Sequence, residues 1–237
     1  MPIKIKPLLR ITLYALILIT LFLLIGASYY FRDRIRLIPS FWERSHALVS
    51  HDKNASKETL ETSLRQRADE AYQYALAHQF DLEHAVLINF SIHSGANRFF
   101  VWDFTEQQPI IESLVAHGYG APGFESTNQS ITFSNTPDSY ASSLGKYRLG
   151  ERSWSRWGIN IHYKMHGLEP TNDNAFRRYI VLHSFDKIPT DETFPKYLPM
   201  GYSQGCPVIS DEAMRRVDAL LQTKAKPVLL WIYVDEP

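Results

Sequence analysis

A run of 21 uncharged residues, 11–31, limits what this chain can fold into more than any other sequence feature. As an α-helix that rises about 1.5 Å per residue, the run would match the roughly 30 Å hydrocarbon core of a bilayer. It is longer than the apolar region of a typical signal peptide, about 7 to 15 residues, although residues 25–27 would serve as a cleavage site. We therefore expect an uncleaved transmembrane anchor rather than a secretion signal. A buried soluble helix is the remaining alternative, and the run lacks the amphipathic face that such a helix has.

Charge is balanced over the whole chain but not along it. The chain has 25 Lys and Arg against 25 Asp and Glu, yet residues 1–36 contain six basic residues and one acidic residue. Three of these basic residues precede the apolar run and three follow it, so the positive-inside rule does not orient the anchor. The rest of the chain is net negative, which excludes an electrostatic surface for nucleic acid.

The region after the anchor begins with a polar lead-out and one helix. Residues 37–56 lack periodicity, whereas small and apolar residues then recur every three or four positions up to about His78. This spacing predicts a helix with one packed face. The face consists of Leu60, Leu64, Ala68, Ala71 and Ala75. We therefore divide the chain into residues 1–36 (cytoplasmic stub and anchor), 37–80 (lead-out and helix) and 81–237 (main domain).

Short runs rich in β-branched and aromatic residues dominate the third segment, and turn-forming residues separate them. The runs are 85–92, 98–104, 109–115, 146–149, 159–164, 179–183 and 228–234. One helix lies between the last two runs, with Ser210 as its predicted N-cap and Asp211 and Glu212 in its first turn. The predicted fold class is mainly β with flanking helices, built on a mostly antiparallel sheet or sandwich.

Cys206 is the only cysteine, which excludes an internal disulfide and a cysteine-rich metal site. Gly205 tolerates backbone angles closed to other residues, and Pro207 disfavours helical angles at Cys206, so we expect the thiol at a bend. Because Pro207 has no N–H, an oxyanion hole here must use the amides of Gln204, Gly205 or Cys206. A small buried hydrophobe is the structural alternative for a lone cysteine.

A catalytic thiol needs a base, because only about 3 % of a thiol with pKa 8.5 is ionised at pH 7. His183 is the best candidate, since it ends the apolar run 179–182 and is followed by Ser184 as a possible orienting group. His162 and His166 are expected to be residues of a strand edge. Most other histidines fall in polar or helical segments and are expected to be solvated: His46, His51, His78 and His84. No pair of histidines has helical ligand spacing beside an acid, so we expect no metal.

The segments 181–184 (Val-Leu-His-Ser) and 203–206 (Ser-Gln-Gly-Cys) resemble the signature of the L,D-transpeptidase (YkuD-type) catalytic domain, and in particular its longer murein subfamily. The commoner motif has His where this chain has Gln204, and its gap between the two segments is shorter. Further similar segments are 115–118 (Val-Ala-His-Gly), 133–137 (Phe-Ser-Asn-Thr-Pro), 139–147 (Ser-Tyr-Ala-Ser-Ser-Leu-Gly-Lys-Tyr), 167–170 (Gly-Leu-Glu-Pro), 172–175 (Asn-Asp-Asn-Ala) with Arg177 and Arg178, and 205–207 (Gly-Cys-Pro).

The resemblance implies a role for each candidate residue. Cys206 would be the nucleophile and His183 its base, Ser184 would orient the imidazole, and the amides around Gly205 would hold the oxyanion. The resemblance also implies substrate-binding roles for three residues at subfamily positions: His117, Arg178 and Ser203. Turn stabilisation for His117 and a surface ion pair for Arg178 are the structural alternatives. The resemblance implies no cofactor. Trp102, Trp154 and Trp157 are expected to pack in the core rather than stack on sugar rings.

The implied function is that of a cysteine acyltransferase in cell-wall biogenesis. A thioester would form with a peptidoglycan stem tetrapeptide, D-alanine would leave, and an amine acceptor would resolve the thioester. With water as the acceptor the protein would be an L,D-carboxypeptidase, and a non-catalytic cell-wall-binding protein of the same fold is the alternative from another class. We expect a single-pass protein of the cell inner membrane whose catalytic domain faces the periplasm.

Overall fold

The computed structural model describes residues 53–235. The expected transmembrane segment, residues 11–31, and most of the expected lead-out lie outside the described residues. Within 53–235, no helix is both long enough and apolar enough to cross a membrane. The residues from Glu61 onward form one compact unit.

The first helix, α1, spans Lys53–Ala77 and begins earlier than predicted. Residues 53–56 were expected in the lead-out, but the segment 53–59 contains neither Gly nor Pro, and its Lys, Ala and Glu residues favour a helix. The predicted small-residue face is confirmed for Leu64, Ala68, Ala71 and Ala75, which are all buried.

In the described part of the chain, nine strands form one mixed sheet. They are β1 (His84–Asn89), β2 (Phe99–Asp103), β3 (Gln108–Ser113), β4 (Val115–Ala116), β5 (Gly145–Trp154), β6 (Ile161–Gly167), β7 (Val181–Ser184), β8 (Val208–Ile209) and β9 (Leu229–Tyr233). Their order across the sheet is β3-β2-β1-β9-β5-β6-β7-β8-β4. The pairs β1–β9 and β7–β8 are parallel and the other neighbours are antiparallel, so the predicted mostly antiparallel sheet is confirmed.

Each face of the central strands packs against a different part of the chain, because side chains alternate along a strand. Ala85 and Leu87 of β1 belong to the cluster that contains the buried face of α1, together with Trp102, for which core packing was expected. Val86 and Ile88 point the other way, into a cluster with the second helix. This helix, α2, spans Asp211–Leu221, and the side chain of its predicted N-cap Ser210 accepts a hydrogen bond from the Ala213 N–H.

The two-residue strands β4 and β8 were not predicted separately. β4 was expected as the end of the run 109–115, and β8 was not expected at all, since two residues carry no periodic signal. The start of β7 also differs from the prediction, because Tyr179 has φ +58 and its N–H bonds the Phe176 carbonyl in a turn. A residue in that conformation cannot continue a strand. β7 therefore begins at Val181.

The packed face of α1 predicts a strong size limit at Ala71, which is fully buried. We expect Ala71→Leu to lower the free energy of unfolding by about 1–3 kcal/mol, because extra methyl groups in a filled core force neighbours to move. Urea unfolding of the full-length protein measures the change. Ala77→Leu is the matched control at an exposed helical position, with an expected change within about 0.5 kcal/mol. Equal effects of both substitutions would contradict the packing described here.

Candidate active site

The pairing of β7 with β8 brings the cysteine segment beside the histidine. His183 lies opposite Val208 in this parallel pair, and the His183 N–H donates to the Pro207 carbonyl at 3.4 Å. Cys206 lies two residues before β8, so its sulfur and the His183 ring line the same cleft, which has a volume of about 700 Å³. The sequence expectation that these two side chains share a cleft agrees with this placement, and their catalytic roles remain predictions.

Cys206 is partly exposed in this cleft, and its side chain also packs against the hydrophobic core. Its Sγ accepts a hydrogen bond from the Val181 N–H at 3.4 Å and lies 3.8 Å from the Tyr179 carbonyl oxygen. Burial raises the pKa of the thiol, while the Val181 N–H and the positive charge of Arg178 lower it in part. The thiol is therefore mostly protonated at neutral pH.

His183 is buried with one ring nitrogen occupied. Its Nδ1 lies 2.9 Å from the Ser184 carbonyl oxygen. Because a carbonyl only accepts, Nδ1 carries the proton and Nε2 is left with a lone pair, as a general base requires. Burial lowers the pKa of His183, and the neighbouring His162 lowers it further, against the raising effect of the Ser184 carbonyl. No hydrogen bond joins Cys206 to the ring within 53–235; such contacts are often long before substrate binds.

Ser184 orients the imidazole through its backbone rather than its side chain. The Ser184 hydroxyl is fully buried and accepts a hydrogen bond from the Ile159 N–H at 3.1 Å. Gly158 lies so close that a β-carbon there would fall 2.0 Å from the Ser184 Oγ. The hydroxyl therefore fixes the loop between β5 and β6 against β7, while the carbonyl of the same residue fixes the ring.

Gly205 has φ +112, which explains why the bend requires glycine. Its N–H is not free, however: it donates to the Ser203 Oγ at 3.0 Å, and that hydroxyl donates to the Cys206 carbonyl at 2.6 Å. The expected oxyanion donor at Gly205 would have to give up this hydrogen bond, and its role stays a prediction. Two of the three candidate amides are left, those of Gln204 and Cys206, which have no hydrogen-bond acceptor on another residue within 53–235. Ser203, expected to bind substrate, lines the cleft but uses its hydroxyl to shape residues 203–206, which we call the cysteine loop.

Ser142 is a supporting residue that the sequence analysis did not single out. Its buried hydroxyl donates to the Gly205 carbonyl at 3.1 Å and accepts from the Gly118 N–H at 3.0 Å. It thereby connects the segment after β4 to the cysteine loop. The only sequence signal was its position within the similar segment 139–147.

Arg178 lines the cleft, but its terminal N–H groups donate hydrogen bonds to other residues of the protein. Both terminal nitrogens of its guanidinium bind two groups each. The acceptors are the Ser134 carbonyl (2.8 Å), the Ser143 Oγ (2.7 Å), the Ser139 Oγ (3.2 Å) and the Ala141 carbonyl (2.6 Å). Substrate binding by Arg178, the role that the resemblance implies, would need those donors and stays a prediction. No ion pair is found for Arg178 in the described chain either. Its positive charge lowers the pKa of Cys206.

His117 does not line the cleft, and its substrate-binding role stays a prediction that this placement does not favour. It is buried at the end of β4, with Nδ1 3.0 Å from the Nη2 of Arg98, and it borders a separate small cavity. Burial and the Arg98 charge lower the pKa of His117 to about 3. Burial likewise lowers the pKa of Arg98 to about 9. This pair holds β2 and β4 together, since Arg98 also donates to the Val115 carbonyl.

Three residues in the cleft were assigned elsewhere by the sequence analysis. His162, expected at a strand edge, lies opposite His183 on β6; it is buried, and its Nε2 has no hydrogen-bond partner within 53–235. Trp154 and Trp157, expected in the core, are 72 % and 45 % exposed at the cleft. Strand patterns do not distinguish a side chain that faces a core from one that faces a cleft.

One group of three potential metal ligands exists in the described part of the chain: Asp81, Glu83 and His84. None of them lines the cleft. The ammonium group of Lys224 forms ion pairs with Asp81 and Glu83, so the group already has a positive charge at its centre. The cluster is best described as an ion-pair network at the start of β1.

The lowered pKa of His183 predicts the pH at which activity is lost on the acid side of the pH profile (the acid limb). The neutral ring accepts a proton, so activity falls as pH falls through the His183 pKa, with a midpoint below the ordinary value of about 6.5. His162→Gln removes the neighbouring imidazole, whose protonated form lowers the pKa of His183 by charge repulsion. We expect the acid limb of kcat/KM to move to higher pH in that variant. An acid limb that stays in place or moves lower would contradict the coupling of the two rings.

The position of Arg178 predicts its effect on the thiol. We expect Arg178→Gln to raise the pKa of Cys206, because the nearby positive charge that favours the thiolate is lost. The pH dependence of alkylation by iodoacetamide measures this directly, since the chain has one cysteine. Arg178→Lys keeps the charge and should raise the pKa less. Arg177→Gln, which removes an exposed cleft arginine, should leave the alkylation midpoint unchanged; a midpoint that also stays unchanged in Arg178→Gln would refute the assignment.

Comparison with known proteins identifies the family. A family model described as the L,D-transpeptidase catalytic domain, of the YkuD type, matches residues 51–233. No curated protein matches the chain. Among solved structures, the chain is similar to an L,D-transpeptidase from Xylanimonas cellulosilytica, with 14 % identity, 68 % of each chain covered and a TM-score of 0.33. On the match of the family model over most of its length, the chain belongs to the L,D-transpeptidase catalytic domain family.

Proposed function

We propose that this protein is a peptidoglycan L,D-transpeptidase that works through a thioester on Cys206. The observation that carries the proposal is the shared cleft: the only thiol and a histidine with an available Nε2 line one accessible groove. Membership of the family supplies the reaction class, cysteine-dependent acyl transfer on peptidoglycan stem peptides.

The mechanism follows from the protonation states of the two groups. His183 Nε2 takes the thiol proton as the Cys206 sulfur attacks the carbonyl at the L-centre of the diamino acid residue in the stem tetrapeptide. The amides of Gln204 and Cys206 bind the oxyanion, and loss of one such donor typically costs on the order of 3 kcal/mol of barrier. The protonated ring then gives its proton to the leaving amine of D-alanine, and a thioester remains.

The second half of the reaction reverses these roles. The amine of a neighbouring stem attacks the thioester carbon, His183 takes a proton from that amine, and the sulfur leaves and regains its proton from the ring. The product is a cross-link between two stems. Water in place of the amine gives a trimmed tripeptide, which is the L,D-carboxypeptidase reaction.

The charge of the cleft suits an anionic peptide. Arg156, Arg177 and Arg178 line it, against a single carboxylate, Asp138. The described chain as a whole is net negative, so the positive cleft is a local feature. Arg156 and Arg177 are exposed and offer donors to stem carboxylates, in place of the occupied Arg178.

The substrate also suggests the location of the catalytic domain. Peptidoglycan lies outside the cytoplasmic membrane, and the uncharged run 11–31 is long enough to span that membrane. We therefore propose a single-pass protein of the cell inner membrane with its catalytic domain on the periplasmic side.

Incubation of the full-length protein with a tetrapeptide muropeptide tests the reaction, with products followed by mass. A cross-linked dimer with loss of D-alanine is expected, together with a thioester adduct on the protein. Cys206→Ala should abolish the adduct and the product. His183→Gln should lower the rate of thioester formation by about 10²–10⁴-fold, the usual contribution of a general base. His78→Gln is the matched control at an exposed histidine outside the cleft.

Each other outcome has a separate meaning. A tripeptide without dimer would indicate the L,D-carboxypeptidase, and unchanged substrate that still binds would indicate a non-catalytic wall-binding protein. Full activity of Cys206→Ala would remove the assigned nucleophile.

A further inference from the structure

The connection between β5 and β6 presents two tryptophans at the cleft. Trp154 ends β5 and is 72 % exposed, and Trp157, three residues later, is 45 % exposed. Tryptophan is among the largest apolar side chains, and burying one typically removes 150–250 Å² from water. Two such rings left in solvent at one functional cleft indicate a surface that a ligand covers.

The loop that carries these rings is held in one conformation by hydrogen bonds. The Ser155 N–H donates to the Asn160 carbonyl at 3.0 Å, and the Asn160 N–H donates to the Trp157 carbonyl at 3.1 Å. The Asn160 side chain returns to the Ser155 carbonyl at 3.0 Å, and the Ser155 hydroxyl accepts from the Trp157 N–H at 3.1 Å. The tight contact of Gly158 with Ser184 fixes the loop to β7. The backbone that carries the rings is therefore preorganised, which lowers the entropy cost of binding.

The environment of Trp157 is both aromatic and cationic. The Arg156 guanidinium lies 4.7 Å from the Trp157 ring centroid. Phe185 contacts the same ring edge-on, with centroids 5.5 Å apart, and Tyr202 contacts Phe185 in the same way at 5.4 Å. Arg156 forms no ion pair within the described chain, so its N–H groups are available to a ligand. A row of aromatic rings thus runs along one wall of the cleft.

We propose that Trp154, Arg156 and Trp157 form a glycan subsite, which binds the sugar strand that carries the stem peptide. The inference rests on the proposed function. The aromatic faces would stack on the C–H faces of pyranose rings, because a π face is electronegative and those C–H groups are weakly positive. The Arg156 donors would bind hydroxyl and acetamido oxygens.

The length of the stem places the sugar near this loop. When the carbonyl of the third stem residue is at the Cys206 sulfur, three residues separate that atom from the sugar. Three extended α-linked residues span about 10–11 Å, at 3.3–3.6 Å per residue, and a residue linked through its side chain adds a few ångströms. The glycan must therefore leave the substrate within the reach of the cleft walls, and the two tryptophans line that same cleft. The net positive cleft accepts the anionic stem, while the exposed rings supply the apolar surface that an uncharged sugar needs.

Binding to peptide-free glycan strands tests the subsite directly. Full-length protein is sedimented with insoluble glycan from which all stem peptides have been removed, and the bound fraction is measured. We expect the wild type to bind and the double variant Trp154→Ala/Trp157→Ala to bind at least about 10-fold more weakly. Phe176→Ala is the matched control, since Phe176 is 49 % exposed but does not line the cleft; it should bind like the wild type.

A second readout separates this inference from the proposed function. For the wild type, the ratio of kcat/KM for a glycan-linked tetrapeptide to that for the free tetrapeptide should exceed one, and the double variant should lose about 10-fold in this ratio. If the wild type turns over neither substrate, the proposed function fails, yet the sedimentation assay still decides the subsite. Wild-type glycan binding by the double variant would overturn the subsite. The subsite would also be overturned if the double variant lost binding to phosphatidylglycerol vesicles but kept binding to glycan, since Trp and Arg also bind membrane interfaces.

Discussion

Two residue pairs, His183 with Val208 and Ser184 with Ile209, join β7 to β8 in parallel, and the geometry of the site depends on them. So short a parallel contact is weak by itself. β4 pairs with the other edge of β8, and α2 begins two residues after β8 ends, with Ser210 as its cap. These neighbours hold the strand in register. Because Cys206 lies two residues before β8, its sulfur comes to rest at the first residue of β7, against the Val181 N–H, and on the same cleft as the ring of His183.

Hydrogen bonds between serine side chains and the backbone determine the shape of the cysteine loop, residues 203–206. Ser203 closes the loop on itself through Gly205 and Cys206, and Ser142 connects it to the segment after β4. Arg178 gathers the segment 134–143 beneath the loop through four acceptors. Most of these acceptors are buried, where an unmade hydrogen bond is costly, so the network resists rearrangement. Within the described residues, it leaves the amides of Gln204 and Cys206 without an acceptor on another residue.

Burial shifts the pKa values of the two central groups in opposite directions: that of the thiol is raised and that of the imidazole is lowered. Even with ordinary pKa values of about 8.5 and 6.5, moving the proton from thiol to imidazole costs about 2.7 kcal/mol. The shifts make this transfer more costly. A neutral pair is therefore the resting state, and the thiolate gains its stability when a substrate carbonyl is present to be attacked. This arrangement protects the only thiol of the chain from side reactions that need a thiolate.

The sequence by itself determined the local elements and the choice of Cys206 and His183 as the candidate reactive pair. Small and apolar residues at helical spacing predicted the buried face of α1, runs of β-branched and aromatic residues predicted most strands, and the capping pattern predicted α2. Each of these signals depends only on neighbours along the chain. Cys206 and His183 stood out through composition and motif. Only the tertiary structure decided that β8 exists, that the Gly205 and Arg178 donors are occupied, that His117 lies under Arg98 rather than in the cleft, and that His162, Trp154 and Trp157 face the cleft. The physical reason is common to all of these: hydrogen bonds and burial between residues tens of positions apart depend on where the strands pair, and no local pattern encodes which side of a strand meets a core and which meets a cleft.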